Sequence, residues 1–191
     1  LALAIPRRDT KPLAKELLAY YGGFSALITA DPESLAARPG MGETSTAAIK
    51  IVQAAALRLL SEPVRELPIL ASWQALLDYL RADMAHLTIE RMRVLYLNSK
   101  NQLIRDEVAS EGSVDQTAVY VREIIRRSID LGAVAIILVH NHPSGDSAPS
   151  RQDIMMTREI ADTGRKLGIN VHDHIIIGKN GFSSMRSSGL I

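Results

Sequence analysis

The sequence contains no cysteine among its 191 residues. Disulfide bonds and thiolate metal sites are therefore excluded, and histidine and carboxylate side chains remain as the strong metal ligands. The chain holds five histidines, so few that the position of each one is informative.

Net charge and long apolar runs are also lacking. The 22 basic and 21 acidic residues leave a formal charge of +1, so no global field draws the molecule onto nucleic acid or anionic lipid. The longest apolar run, residues 133–139, is far shorter than a membrane span, and no signal-peptide pattern opens the chain. We therefore expect a cytoplasmic protein without a membrane partner. Because the first residue is Leu within an apolar stretch, residues 1–5, we also expect a truncated N-terminus.

The first third of the chain has the pattern of short helices. Apolar residues recur at helical spacing in segments 11–21 and 45–60. Between them, Asp31 followed by Pro32 is typical of a helix N-cap and first helical position. These signals predict a small all-α domain over residues 1–62.

Pro63 and Pro68 follow, and their restricted backbone and missing N–H donors disfavour regular structure. We place a domain boundary there, at about 62–70. The remaining segment, residues 70–191, alternates in character as an α/β domain does. Its predicted helices are 72–85, 122–131 and 151–167, and its predicted strands are 93–98, 102–110, 133–139, 171–177 and 181–185.

The candidate chemistry lies at the end of segment 133–139, a nearly continuous apolar run typical of a central strand covered on both faces. Alternate positions of an extended segment point to the same side, so His140 and His142 can face one ion if the strand persists. Asp153 follows a loop of turn-forming residues that can bring it back to the pair. Catalytic zinc has three protein ligands and an open position, which this set matches.

Each fragment of this pattern also has an ordinary structural explanation. Ser150 and Asp153 match a capping box, in which the two residues bond each other's backbone at a helix start. An isolated His-x-His pair is more often a pair of surface or hydrogen-bonded residues than a metal site. The combined spacing of all four residues is what favours the metal interpretation.

That combined spacing resembles a known signature. His140-Asn141-His142, then Ser150 after seven residues and Asp153 after two more, is similar to the JAMM motif of JAB/MPN metalloproteases and deubiquitinases. With the intervening Pro-Ser-Gly-Asp, the string resembles the bacterial RadC family in particular. The resemblance implies an α/β fold, a three-layer α-β-α domain with cytidine-deaminase-like layering, after a small helical domain.

The resemblance also implies a role for each residue. His140, His142 and Asp153 would bind Zn²⁺, and Glu90 would take a proton from a water molecule made more acidic by the ion. The water would then attack an amide carbonyl, with Ser150 donating to the oxyanion. The implied activity is that of a zinc metallopeptidase-like hydrolase acting on a peptide or isopeptide substrate.

The residues alone leave the choice of base open, because Glu107, Glu111 and Glu123 are also candidates. Glu111 stands at a plausible strand end, and Glu123 near a helix start, where an acidic residue usually serves the helix dipole. Glu90 is preferred because its place before the first core strand matches the family pattern. The resemblance extends to Asp173-His174, a pair that we expect to support the site or the core rather than bind metal.

The N-terminal domain resembles a helix-hairpin-helix over residues 35–42 and the following helix, as in RadC proteins. Backbone N–H groups of such a hairpin can meet a nucleic-acid phosphate, which makes residues 35–50 a candidate DNA contact. Glu43 follows the hairpin, however, and its charge repels phosphate. The alternative is a module that packs on the catalytic domain or binds a protein. The second functional hypothesis is accordingly a DNA-associated repair or recombination accessory protein with a structural or vestigial metal site.

Overall fold

The computed structural model describes residues 1–2, 4–5, 8–112 and 117–191, apart from the side chains of Leu70 and of residues 117–120. The apolar start of the chain, residues 1–5, therefore lies partly outside the described residues, and Pro6, Arg7 and residues 113–116 lie outside as well. The chain forms two compact units, Leu1–Leu59 and Leu60–Ile191. The domain limits expected from the sequence, 1–62 and 70–191, stay predictions.

The first unit is helical. Its helices are α1 (Lys11–Tyr21), α2 (Phe24–Thr29), α3 (Pro32–Ala36) and the first part of α4 (Glu43–Glu66). The N-cap predicted at Asp31 is confirmed, since its Oδ1 accepts from Glu33 N at 2.8 Å and from Ser34 N at 3.0 Å. The buried centre of this unit consists of three leucines, Leu17, Leu27 and Leu35.

The prediction that regular structure stops at Pro63 is wrong, because α4 continues through it to Glu66. A proline inside a helix costs roughly 3 kcal/mol, since one backbone hydrogen bond is lost and the ring crowds the preceding turn. Two features offset this cost. The Pro63 carbonyl still accepts from Leu67 N at 3.1 Å, and Val64 is only 1% exposed in the apolar core of the second unit. Burial of a valine contributes about 1.5–3 kcal/mol, which is comparable to the loss.

The second unit contains a five-stranded sheet in the order β2-β1-β3-β4-β5. Strands β3 and β4 are parallel, and the other neighbours are antiparallel. The strands are β1 (Arg91–Leu97), β2 (Leu103–Glu111), β3 (Ala135–Asn141), β4 (Asn170–Ile177) and β5 (Phe182–Ser184). The helices are α5 (Trp73–Met84), α6 (Thr117–Asp130) and α7 (Arg151–Lys166), with a short 3₁₀ turn at Ile69–Ala71.

Helices cover both faces of this sheet. Alternate residues of β1 and β3 point to opposite sides, and each set belongs to a separate apolar cluster. One cluster joins the sheet to α5 and includes Leu80, Leu95 and Ile137. The other joins it to α6 and α7 and includes Ile160 and Leu138. The α/β fold class and the three-layer α-β-α arrangement predicted from the sequence are confirmed.

Strand β3 is the central element for function. All seven of its residues are buried, as the apolar run predicted, and the strand extends through His140 to Asn141. Its parallel pairing with β4 requires a crossover, and α7 provides it. The C-terminal end of β3 and the N-terminal end of α7 therefore meet at one edge of the sheet. No helix within the described part of the chain is long and apolar enough to cross a membrane.

Candidate metal centre

Three side chains meet where β3 ends and α7 begins. His140 Nε2 lies 2.8 Å from His142 Nε2 and 3.4 Å from Asp153 Oδ1, and His142 Nε2 lies 3.5 Å from Asp153 Oδ2. Their ligand atoms all fall within 4.8 Å of one another. His140 is 1% exposed, whereas the His142 side chain keeps 19% of its surface exposed. The three side chains could hold a metal ion that is open to solvent on the His142 side.

Asp153 belongs to this centre and also to the cap of α7. Its Oδ2 accepts from Ser150 N at 2.7 Å, and Ser150 Oγ accepts from Asp153 N at 3.1 Å. The capping box that the sequence matched is thus present. Because the cap uses Oδ2, the second oxygen, Oδ1, remains directed at His140. The helix start therefore holds the carboxylate in place and does not compete with the metal interpretation.

The loop between His142 and Asp153 is anchored on the end of β4. His142 N donates to Ile177 O at 2.9 Å, and Lys179 N donates to Gly145 O at 3.1 Å. Gly178 permits this close approach, because a Cβ there would lie 2.5 Å from Gly145 O. The loop that connects His142 to Asp153 therefore has a defined path against the sheet.

The proton on His142 can be assigned from its partner. Its Nδ1 lies 2.8 Å from Asp146 O, and a carbonyl oxygen can only accept, so Nδ1 carries the ring proton. Nε2 can then act as an acceptor, and it lies 3.5 Å from Oδ2 of the Asp153 carboxylate, which is also an acceptor. His140 Nε2, 2.8 Å from His142 Nε2, can also accept, and a cation held among the two nitrogens and the carboxylate would satisfy all three groups together.

The spacing and the donor types fit zinc. Bonds of about 2.0–2.1 Å in a tetrahedral site separate ligand atoms by roughly 3.3 Å. The separation of His140 Nε2 from Asp153 Oδ1, 3.4 Å, matches this value, while the two imidazole nitrogens at 2.8 Å would move apart slightly. Two imidazoles, one carboxylate and no thiolate make a ligand set that zinc commonly occupies in catalytic sites.

The charge state of Asp153 also suits a cation. Burial raises the pKa of its carboxyl, but the contact with His140 and the hydrogen bonds with Ser150 lower it by more. The net pKa lies well below the usual value, so the carboxylate is ionised at neutral pH and binds a cation without first losing a proton.

The sequence of the second unit matches a known family. The family model for a RadC-like JAB domain matches residues 70–190. The chain belongs to the RadC family. A UPF0758 protein of Rhodobacter capsulatus is 48% identical over 188 residues, which cover 98% of this chain and 88% of the relative. The resemblance inferred from the His140 to Asp153 motif is thereby confirmed.

Glu90, the base implied by the RadC resemblance, directly precedes β1. Asn141, the residue between the two histidines, accepts from Arg91 N at 2.8 Å and donates to Ile89 O at 3.1 Å. These bonds hold both neighbours of Glu90, so its backbone lies beside the end of β3. Within the described ranges, Glu90 is not a member of the ligand cluster, which is compatible with a base that does not bind the ion.

The three competing carboxylates of this RadC chain are each paired with an arginine. Glu90, by contrast, makes no ion pair with any residue that the structure describes. The hydrogen bond from Arg127 lowers the pKa of Glu107, which weakens it as a base. The pairs are Arg91–Glu111 at 2.9 Å, Arg127–Glu107 at 2.5 Å and Arg126–Glu123 at 2.8 Å.

Ser150 is exposed at the N-terminus of α7. Its oxygen accepts from Asp153 N, which leaves the hydroxyl proton available to a further acceptor. The assignment of Ser150 as an oxyanion donor, like that of Glu90 as base, stays a prediction.

Two buried residues behind the centre complete it. His174 Nε2 lies 2.7 Å from His140 Nδ1, and Thr157 Oγ1 lies 2.6 Å from His174 Nδ1. Burial, followed by the electrostatic effect of the adjacent His140, lowers the pKa of His174 well below its usual value. Sequence reasoning did not single out Thr157. The signal that could have found it is its position one helical turn after Asp153, on the same face of α7.

Proposed function

We propose that this protein is a zinc-dependent hydrolase of the JAMM type that cleaves an amide bond in a peptide or isopeptide. The observation that carries the proposal is the convergence of two imidazole nitrogens and one ionised carboxylate, from His140, His142 and Asp153, at a partly open position. Such a set leaves one coordination position for water or substrate.

The ion, when bound, would supply Lewis-acid chemistry, which acidifies water and polarises a carbonyl group. The remaining chemistry falls to side chains near the centre. Glu90, beside the end of β3 and without an ion-pair partner among the described residues, would accept the proton of the attacking water. The Ser150 hydroxyl can donate to the oxygen on which negative charge develops.

The metal site is tested by mass spectrometry of protein purified without a chelator or a metal-binding tag. We expect about one zinc per chain in the parent and little in His142→Ala, because three-ligand zinc sites lose affinity when a ligand is removed. His172→Ala is the matched control, since His172 bonds Asn101 at 2.7 Å and lies outside the centre. A parent that holds no zinc even after reconstitution would contradict the proposal.

A further inference from the structure

His140 is held from the side opposite the metal centre by a chain of short hydrogen bonds. Thr157 Oγ1 donates to Asp153 O at 2.5 Å and lies 2.6 Å from His174 Nδ1, and His174 Nε2 lies 2.7 Å from His140 Nδ1. Thr157 and His174 are fully buried, and His140 is 1% exposed. No water is needed to complete the chain, because each atom in it already has its partner.

The hydrogen bonds in this series all run in the same direction, with the donors pointing from His140 toward the backbone of Asp153. A carbonyl oxygen only accepts, so the one hydroxyl proton of Thr157 points at Asp153 O. Thr157 Oγ1 must then accept from His174 Nδ1–H. A fully buried imidazole without a carboxylate partner is favoured in its neutral form, which carries one ring proton. His174 Nε2 is consequently bare and accepts from His140 Nδ1–H.

We infer that Thr157 and His174 are positioning residues that fix His140 in the tautomer whose Nε2 lone pair faces the metal position. The inference rests on the proposed function, since it assigns these residues to the same centre. The series of hydrogen bonds begins at the backbone oxygen of Asp153 and ends at His140. Both residues are metal ligands in the proposed function. Two of the three ligands are therefore aligned by one set of buried hydrogen bonds before any ion binds.

A positioning role for Thr157 and His174 can be distinguished from a role that only pairs buried polar groups, because the two roles predict different metal affinities for variants. Partners of this kind usually change metal affinity by about 10–100-fold when removed. Thr157→Val keeps the shape of the side chain and deletes the hydroxyl, whereas Thr157→Ser keeps the hydroxyl. A purely structural role would let Thr157→Val lower stability, because it leaves His174 Nδ1–H unpaired, and leave zinc affinity unchanged. The positioning role makes Thr157→Val bind zinc more weakly than Thr157→Ser does.

The first arm of the test is ¹⁵N NMR of the imidazoles in the metal-free full chain, with assignments taken from single histidine variants. We expect His140 and His174 each to carry a proton on Nδ1. In Thr157→Val we expect a mixture of tautomers at His140, and in Thr157→Ser the parent pattern. A parent in which His140 carries its proton on Nε2, or exchanges between tautomers, overturns the inference.

The second arm is zinc affinity, measured by competition with a chromogenic chelator. We expect Thr157→Val to bind zinc at least about 10-fold more weakly than the parent, and Thr157→Ser to bind as the parent does. Thr163→Val, the same change further along α7, is the control and should leave affinity unaltered. Unchanged affinity in Thr157→Val overturns the inference. If the parent binds no zinc, the proposed function fails, while the NMR arm still decides the tautomer in the metal-free protein.

Discussion

Asp153 caps α7 and also belongs to the candidate metal centre, and these two contributions can be separated. The cap depends on an oxygen that accepts from Ser150 N at 2.7 Å, whereas zinc binding depends on the negative charge that faces the histidines. Asparagine retains an oxygen but loses the charge, and alanine loses both. The three side chains therefore form a graded series.

Asp153→Ala should lower the free energy of unfolding of the metal-free protein by about 1 kcal/mol, because the capping box is lost. Asp153→Asn should lower it less, since its amide oxygen can still accept from Ser150 N. Both variants should bind zinc much more weakly than the parent. Urea denaturation and chelator competition measure the two effects. Equal stability of the alanine variant and the parent would show that the cap contributes nothing.

A substitution at Glu90 can separate the proposed hydrolysis from metal binding. Glu90→Gln should retain about one zinc per chain, because Glu90 lies outside the ligand cluster, and should lose amide hydrolysis, because the amide cannot accept the proton. A panel of fluorogenic peptides, isopeptides and small amides supplies the assay. Glu111→Gln is the matched control, as its carboxylate pairs with Arg91. Hydrolysis that survives in Glu90→Gln would move the base to another carboxylate.

At the scale of elements, the sequence predicted helix starts correctly where the cap is formed by residues adjacent in sequence. Asp31 caps α3, and Ser150 caps α7, as their sequences indicated. Pro63 is the exception, because the last turn of α4 is stabilised by the burial of Val64 among residues distant in sequence. A propensity rule that considers only adjacent residues cannot include that contribution.

The turn before α4 is the element that the DNA hypothesis concerns. Gly40 has a φ of 80°, which favours glycine, and Glu43 is exposed in the first turn of α4. The carboxylate repels phosphate at the position where the hairpin N–H groups would meet it.

We therefore expect the full chain to bind duplex DNA weakly and Glu43→Lys to bind it more tightly. In that variant the slope of log affinity against log salt concentration should be steeper, by about one released counterion. Fluorescence anisotropy over a salt series measures both quantities, and Glu33→Lys, a charge change on α3, is the control. If the parent binds DNA tightly and Glu43→Lys does not change its affinity, the DNA contact lies away from residues 35–50.

At the scale of the whole molecule, the candidate centre links elements that are far apart in sequence. His140 belongs to β3 and Asp153 to α7, and both also contact the buried Thr157 and His174 chain. An ion held between them would add a further connection between the sheet and one of its covering helices. Such a ligand binds the folded state and not the unfolded one.

Zinc should accordingly raise the melting temperature of the unit formed by Leu60–Ile191. At a free concentration 100 times its Kd, the expected gain is about 2.7 kcal/mol, and a chelator should remove it. Differential scanning calorimetry with and without zinc measures the shift. His142→Ala should show no shift, and an equal shift in that variant would mean that zinc stabilises the protein from another site.

The sequence by itself determined the chemical type of the candidate centre. The absence of cysteine left nitrogen and oxygen ligands, and the spacing from His140 to Asp153 indicated the RadC family that the comparisons confirm. The apolar run of β3 also placed His140 at the end of a buried central strand. These features are local, because residue type, spacing and periodicity are contained in one short segment.

Only the tertiary structure decided which distant groups surround that segment. It placed the start of β1 beside Asn141 and paired Glu107 and Glu111 with arginines 20 residues away in sequence. It also brought His174 of β4 and Thr157 of α7 behind His140. The physical reason is that strand register and helix packing set these contacts through the burial of whole faces. The sequence around a carboxylate or an imidazole does not show which distant residue will become its partner when these faces are buried.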